Sequence, residues 1–174
     1  MDSILGRIAA TVLGLLVLAA VGLGIYKAFS GNKVGQTTTD LSLLQTNARA
    51  QYSQGANGYA NFNVAAGTPT AGIVDSTGNS AVIPTDMLRA GRVVDSWGND
   101  VTIAPTSNNQ QFAVTVGGTG LTASQCSQIL TSLTGWTRVA TSTGQSFTTG
   151  NPPDATTAGA ACMNDGETIT VTMQ

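Results

Sequence analysis

The sequence predicts an α+β protein in which a long N-terminal helix packs on a small antiparallel sheet. The first half of this helix is apolar, because no charged residue occurs from 8 to 26. The second half is amphipathic, since apolar residues recur there at helical spacing. Near residue 170 the chain alternates apolar and polar residues, which is typical of a half-buried strand. These features indicate one helix that leads into one compact head.

The uncharged segment from Ile8 to Tyr26 contains 19 residues, just enough to cross the hydrocarbon core of a bilayer as a helix. Arg7 precedes it, and Lys27 and Lys33 follow it. We interpret it as a retained membrane anchor, because it is longer than the core of a signal peptide and no small-residue cleavage pattern follows it. A buried helix of a soluble protein is the remaining alternative.

Small residues recur every fourth position in the apolar segment. Gly6, Ala10 and Gly14 form one such row, and Ala20 and Gly24 repeat the spacing. Rows of this kind let helix backbones approach closely in apolar surroundings, so they predict helix–helix packing. The alternative is that glycine and alanine are simply common in membrane helices.

A break in the helical pattern is predicted around Gly31 and Gly35, where a kink or a melted turn would fit the low helix propensity of glycine. The helix is expected to continue to about Gln54. Its second half carries an apolar stripe that needs a partner surface, formed by Val34, Leu41, Leu44, Ala48 and Tyr52.

The chain is therefore divided into a hydrophobic helix at 1–33 and a head at 34–174. Within the head, 34–54 is the amphipathic half of the helix, 55–91 is a long loop, and 92–174 holds the sheet. Tyr59 and Phe62 could pin the loop to the body of the head.

The head is predicted to contain four or five strands, one helix and one helical turn. A capping box formed by Thr122 and Gln125 begins the helix, and 144–159 is expected to be a loop because it contains two consecutive prolines. The turn is expected at 84–88, the helix at 123–133, and the strands at 93–94, 101–105, 111–116, 136–141 and 167–174.

The head contains the two cysteines of the chain, Cys126 and Cys162. In an exported protein an even pair predicts one structural disulfide, which stabilises by roughly 3–4 kcal/mol on the chain-entropy model. Two unpaired buried thiols are one alternative. A zinc site is another, although two thiols without histidine supply only half of its ligands.

Composition argues against several functions. Only 9% of residues are charged, the net charge is −2 and no Lys/Arg cluster occurs, so nucleic acid is not an expected partner. The chain has no histidine and no nucleotide-binding or hydrolase motif, so we predict neither an enzyme nor a cofactor. Asp95 with Asp100, or Asp154 with Asp165, could bind calcium, but loop carboxylates are more often solvated.

Two motifs carry a resemblance to type IVb pilins. The stretch GLTASQCSQIL from Gly120 to Leu130 is similar to the first-cysteine region of pilins such as the toxin-coregulated pilin, and Cys162 follows near the end as in that family. The run DSWGN from Asp95 to Asn99 resembles the turn between helix and sheet in pilins and pseudopilins. The chain most resembles the major pilins of the thin pili of conjugative plasmids.

The resemblance implies a structural subunit that polymerises into an extracellular type IV pilus for attachment or conjugative mating contact. The helix at 1–33 would form the filament core after a period in the inner membrane. A prepilin peptidase would remove a leader and leave an N-methylated Met1, and an ATPase-driven assembly machinery would insert the subunit.

One position departs from the family pattern, because the chain has Leu5 where most pilins carry glutamate. We hypothesise that Asp2 supplies the missing carboxylate to the N-terminal amine or to Arg7 of a neighbouring subunit, since an unpaired charge in an apolar core is costly. The alternative is that Asp2 only complements its own helix N-terminus and Arg7 reaches lipid headgroups.

Two other functions remain open from the sequence. A minor pseudopilin of a secretion system would share the fold without forming the main polymer. A membrane-anchored monomeric binding module would need neither the small-residue rows nor a pilin-like disulfide region.

Overall fold

The computed structural model describes residues 32–53, 55–69, 73, 80–106 and 108–174. Within them, Val34–Gln174 forms one compact unit. Helix α1 occupies 32–52. The other helices are α2 (Ala123–Ser132) and α3 (Ala155–Ala161), with a 3₁₀ turn at Thr85–Met87. The strands are β1 (Val64–Ala65), β2 (Thr68–Pro69), β3 (Leu88–Arg89), β4 (Arg92–Val93), β5 (Thr102–Thr106), β6 (Gln111–Gly117), β7 (Trp136–Thr141), β8 (Ser146–Thr148) and β9 (Thr168–Met173).

Among the described residues, seven strands form one antiparallel sheet in the order β2-β1-β5-β6-β9-β7-β8. Strand β9 lies between β6 and β7, although it follows both of them in the chain. Strands β3 and β4 pair separately as a short hairpin.

One row of buried side chains crosses the sheet and shows how the strands share a core face. Each member is paired in register with the next one along the row, from β1 to β8. All six are buried: Val64, Ile103, Val114, Val171, Val139 and Phe147. Because side chains alternate along a strand, this register places the threonines of β9 on the opposite face, where the hydroxyls of Thr115 and Thr170 lie 2.9 Å apart.

The apolar stripe of α1 is buried against this core. Val34, Leu41, Leu44 and Ala48 are each at most 7% exposed and belong to the same cluster as the sheet residues. The side-chain Nε2 of Gln45 donates to the Gly135 carbonyl oxygen at 2.6 Å and so connects the helix to the start of β7. The predicted α+β architecture, a helix packed on an antiparallel sheet, is confirmed.

Four aromatic rings fasten the segment that follows α1. Tyr52 stacks on Phe62 with ring centroids 5.0 Å apart, and Phe62 meets Phe112 edge-on, also at 5.0 Å. Tyr59 approaches Phe112 at 4.8 Å. Contacts of this kind add to the burial of each ring, so they hold the start of the long loop on strand β6.

The regular elements predicted from alternation and capping are found close to their expected positions. Strands β5, β6, β7 and β9 match the four predicted runs, and β4 begins one residue early. Helix α2 has the predicted capping box, in which Thr122 accepts from the Gln125 amide and the Gln125 side chain accepts from Thr122. The turn predicted at 84–88 is the 3₁₀ turn, with Pro84 at its N-cap.

The prediction that 144–159 is a loop was wrong, because this segment contains β8 and most of α3. The two prolines precede the helix and do not interrupt it. Asp154 caps α3 by accepting from the Thr157 amide at 2.7 Å, while the Thr157 hydroxyl accepts from the Asp154 amide at 2.9 Å. The sheet also exceeds the predicted four or five strands, since Val64–Ala65 of the long loop pairs with β5.

A buried carboxylate joins the turn before β5 to the end of β6. Asp95 accepts hydrogen bonds from the amides of Trp97 and Asn99 in its own turn and from the Gly117 amide on β6, each at 2.9 Å. The Asn99 side chain extends the connection by donating to the Thr119 carbonyl at 3.0 Å. Because Asp95 is only 4% exposed, water cannot replace its carboxylate as the hydrogen-bond acceptor for these amides.

Replacing Asp95 with alanine should destabilise the head by about 2–3 kcal/mol, since buried amide donors would lose their acceptor. Asp100→Ala is the control, because it removes a carboxylate whose partner is the half-exposed Arg92 and should cost less than about 1 kcal/mol. Urea unfolding followed by circular dichroism measures both. Equal losses for the two variants would contradict the role given to Asp95.

Candidate functional site

Two surfaces of the head are candidates for contact with other molecules. One is the outer face of α1, the side of the helix that does not contact the sheet. The other is the disulfide-bounded region, which we define as 123–162, together with the turn to β9.

The outer face of α1 is formed by small and weakly polar side chains. Ser42, Thr46 and Ala50 are exposed there, and Leu43 is 49% exposed among them. Thr46 donates its hydroxyl to the Ser42 carbonyl at 2.9 Å, so its polar group is satisfied within the helix. Apart from Leu43 and the exposed Arg49, the side chains that this face presents over these two turns are small, so the face can pack closely on another helix.

The predicted cysteine pair is bonded. Cys126 on α2 and Cys162 at the C-terminal end of α3 form a disulfide with their Cα atoms 5.8 Å apart. Both residues are buried, at 0% and 3% exposure. The two alternatives, unpaired thiols and half of a zinc site, are therefore wrong.

Hydrogen bonds outside the disulfide fix the region on the sheet. The Asp165 carboxylate accepts from the Ala123 amide at 2.8 Å and so connects the start of α2 to the turn before β9. The Thr143 hydroxyl donates to the Ala161 carbonyl at 2.9 Å and connects α3 to the β7–β8 turn. The region is thus held at several points and presents a fixed surface.

That surface is mostly uncharged. The exposed positions of α3 are alanine, threonine and glycine, and Met163, just past the disulfide, is 71% exposed. On α2 the outward side chains include Ser124, Gln128 and Thr131. Such a surface suits contact by shape and hydrogen bonding more than by charge.

The carboxylates considered for calcium are engaged in other interactions. Asp95 holds backbone amides, and Asp100 pairs with Arg92. Hydrogen bonds from the amide and hydroxyl of Thr157 hold the pKa of Asp154 below its ordinary value. Within the described ranges, no group of three or more His, Cys, Asp or Glu side chains could hold a metal ion.

Asp40 is a buried carboxylate on α1, at 6% exposure. Burial raises the pKa of Asp40 above the ordinary carboxyl value, and the negative charge of Asp86 adds to this effect. The positive charge of Arg89 acts in the opposite sense. The ionised form of Asp40 is therefore an energetic cost to the folded head at neutral pH.

Of the site residues predicted from the sequence, the structure brings Cys126 and Cys162 together. Gly35 lies within the helical residues 32–52, with open space where a Cβ would stand. The kink or melted turn that the sequence suggests at this position stays a prediction. The remaining positions lie outside the described residues: Met1, Asp2, Leu5, Gly6, Arg7, Ala10, Gly14, Ala20, Gly24 and Gly31.

Among the helices that the structure describes, none combines the length and hydropathy needed to span a membrane. The segment from Ile8 to Tyr26, interpreted above as the anchor, is outside those residues.

Sequence patterns missed the contacts between α1 and the end of β9. The Arg49 guanidinium donates through Nε to the carbonyl oxygen of Gln174, and Gln45 donates to the same oxygen at 3.3 Å. These pairs are separated by more than 120 positions, and no periodicity links them. The alternation of apolar and polar residues in β9 predicted which of its side chains are buried, but not which elements lie beside the strand.

A long helix on an antiparallel sheet, followed by a region closed by one disulfide, has the architecture of the type IV pilins. The chain belongs to the family described as PilS N terminal, which matches residues 32–174 and comprises type IVb pilins of thin pili. The resemblance inferred from the cysteine region is thereby confirmed. Pilins are structural proteins, so the chain is not an enzyme. A comparison with curated proteins finds no match to this chain.

Replacing both cysteines with serine should lower the stability of the head by about 3 kcal/mol, because the unfolded chain regains the freedom that the disulfide removes. For a chain of this size the melting temperature should fall by about 10 °C. Thermal melts followed by circular dichroism, with and without reductant, measure the effect. Reductant should lower the melting temperature of the wild type but not of the variant, and a variant as stable as the oxidised wild type would contradict the prediction.

Replacing Asp40 with asparagine should raise the melting temperature at pH 7 by about 2 °C, because the uncharged amide avoids burying a charge. The raised pKa of Asp40 means that its stabilising contribution is present in full at acid pH and is lost as the pH rises through the folded-state value. The gain should therefore shrink as the pH falls through the folded-state pKa of Asp40 and should be smallest below about 4, the ordinary value of an aspartate.

Asp100→Asn is the control for this pH series, since that carboxylate pairs with Arg92 and its removal should not stabilise the head at pH 7. Thermal melts from pH 3 to pH 8 compare the three proteins. A gain for Asp40→Asn that grows toward acid pH would contradict the argument.

Proposed function

We propose that this pilin polymerises into an extracellular type IV pilus filament used for attachment or conjugative mating contact. The observation that carries the proposal is the match of 32–174 to the pilin family, which covers the whole head. The outer face of α1 supports it, because a helical polymer needs a side of the helix that remains free for neighbouring subunits, and Arg49 is the one charged side chain on this face between 42 and 50.

The proposed assembly uses both halves of the N-terminal helix. The small-residue rows of 1–33 would let these segments exchange lipid for other helices, since close backbone approach favours association in apolar surroundings. The exposed Leu43 and its small neighbours would continue the contact along the head. Gly31 and Gly35 would allow the helix to soften between the two halves.

The proposed charge pair places Asp2 of one subunit against the N-terminal amine or Arg7 of a neighbour. A carboxylate at this position would offset the cost of burying a cation in the apolar core. Most pilins have a glutamate at the position of Leu5, which would supply such a carboxylate. Before assembly the subunit would be anchored in the inner membrane. Its proposed partners there are a prepilin peptidase, which would expose Met1 for methylation, and the pilus assembly machinery.

The test is negative-stain electron microscopy of filaments sheared from cells that produce the chain with its assembly genes. Intact mass spectrometry of the same subunits should find a methylated Met1 and a mass lower by two hydrogens than that of the reduced chain, from the bond between Cys126 and Cys162. A membrane-retained chain without filaments would favour a minor pseudopilin or a monomeric binding module.

Two substitutions should abolish filaments while leaving the amount of membrane-bound subunit normal. Asp2→Ala removes the proposed carboxylate, and Leu43→Asp places a charge on the outer face of α1. Because Leu43 is 49% exposed, the second variant should leave the melting temperature of the subunit within about 2 °C of the wild type.

Asp2→Glu and Thr131→Asp are the matched controls. The first keeps the carboxylate, and the second places the same charge on the exposed side of α2. Both should retain filaments. Normal piliation of Asp2→Ala would remove the charge pair from the proposal, and normal piliation of Leu43→Asp would remove the outer face of α1.

A further inference from the structure

Strand β8 forms one end of the seven-stranded sheet that the described residues build. Its ladder with β7 shows which of its backbone groups point outward. The Thr141 amide donates to the Gln145 carbonyl oxygen at 2.9 Å, and hydrogen-bonded pairs recur at every second residue of an antiparallel ladder. The backbone of Phe147 therefore bonds to β7, whereas the N–H and C=O groups of Ser146 and Thr148 point away from it.

An edge of this kind is a template for pairing with another chain. Ser146 and Thr148 are exposed, so other molecules can reach their backbone. Phe147 between them is buried in the core, so β8 is fixed in its place. A second copy of the chain has the same outward groups, and two β8 strands could pair antiparallel about a twofold axis.

The turn that follows β8 occupies part of this edge. The Asn151 amide donates to the Thr148 carbonyl oxygen at 3.0 Å, and the two residues form an isolated antiparallel bridge. Asn151 thus stands where the first residue of an added strand would pair. The outward carbonyl group of Thr148 already has its donor.

Two prolines stop the chain from continuing along the edge. If the register of the bridge continued, Pro153 would lie opposite Ser146. Proline has no N–H, so Pro153 cannot donate to the Ser146 carbonyl oxygen and Pro152 cannot donate to a further strand. Asp154 then begins α3 as its N-cap, so the extended segment ends there.

The strand at the other end of the sheet also has a proline at an outward-facing position. Strand β2 pairs with β1 at both Thr68 and Pro69, and this ladder requires the nitrogen of Pro69 to face away from β1. Both end strands of the described sheet are therefore associated with prolines. Placing proline at an exposed edge is one way in which proteins prevent strand addition.

We infer that the turn formed by Asn151, Pro152 and Pro153 closes the β8 edge of the head against strand addition by a second copy of this chain. The bond to Thr148 occupies one acceptor, and the prolines prevent the turn from becoming a strand with an edge of its own. Only the outward groups of Ser146 remain for an incoming strand, and one residue cannot sustain a ladder. The closure belongs to one head and does not depend on polymerisation.

Replacing both prolines with threonine should open the edge. In Pro152→Thr/Pro153→Thr the segment after Asn151 regains two N–H groups, so it can extend along β8 and offer its own edge to a second copy. The full chain is held in non-ionic detergent with micelles in large excess, so that two chains rarely share a micelle. Sedimentation velocity over a concentration series should give a self-association constant at least about tenfold larger than that of the wild type.

Hydrogen exchange on the same samples shows whether strands pair. In the threonine variant the amide proton at position 152 would point away from β8, so only an added strand can protect it. Its exchange should slow at least about tenfold as the protein concentration rises. Because Pro152 is exposed and Pro153 half-buried, the head should stay folded in the variant, which circular dichroism checks.

Two controls separate edge pairing from loss of proline and from loss of stability. Pro152→Lys/Pro153→Lys removes the same prolines but places charges along the edge, which prevent pairing. Asp95→Ala destabilises the head without altering β8. Both should keep the self-association constant within about twofold of the wild type.

Three results would overturn the inference. The first is a threonine variant that stays as monomeric as the wild type. The second is exchange at position 152 that does not slow with concentration. The third is a lysine variant or an Asp95→Ala variant that associates as strongly as the threonine variant.

Discussion

The head depends on the burial of one helix face on one sheet face. Leu41, Leu44 and Ala48 on α1 meet a row of buried side chains that runs from Val64 on β1 to Phe147 on β8. Burial of a leucine-sized side chain contributes about 1.5–3 kcal/mol, so this contact outweighs the surface ion pairs of a chain with so few charges. The aromatic cluster fastens the segment after α1 to strand β6, and the disulfide joins α2 to α3 within the same core.

The use of polar groups follows from that arrangement. With only 9 carboxylates in the chain, several of them satisfy backbone amides: Asp95 at the end of β6, Asp154 at α3 and Asp165 at α2. The outer surfaces are left to threonine, serine, alanine and glycine. A subunit built in this way can present close-packing faces on several sides, because few of its charges would need to be desolvated in a contact.

Sequence patterns predicted the elements whose signals are local. The alternation of apolar and polar residues predicted β9, and the capping box predicted the start of α2. An even number of cysteines, in a chain expected to be exported, predicted the disulfide. The signal for α3 was also local, since Asp154 and Thr157 form a capping box, but the adjacent proline pair concealed it. The Asp95 connection to Gly117 and the Arg49 contact with Gln174 could not be predicted, because their partners are brought together only by the pairing of distant strands.

The position of β9 constrains how the head can be made. Strand β9 separates β6 from β7, so the β7–β8 hairpin has no place in the sheet until 168–173 has emerged, and Cys126 likewise waits for Cys162. In a chain that is still crossing a membrane, the part of the head that needs β9 would therefore remain unfolded. If the head is exported as proposed, the fold would close only after this transfer is complete, and a transfer halted before β9 would leave the edges of β6 and β7 exposed to aggregation and proteolysis.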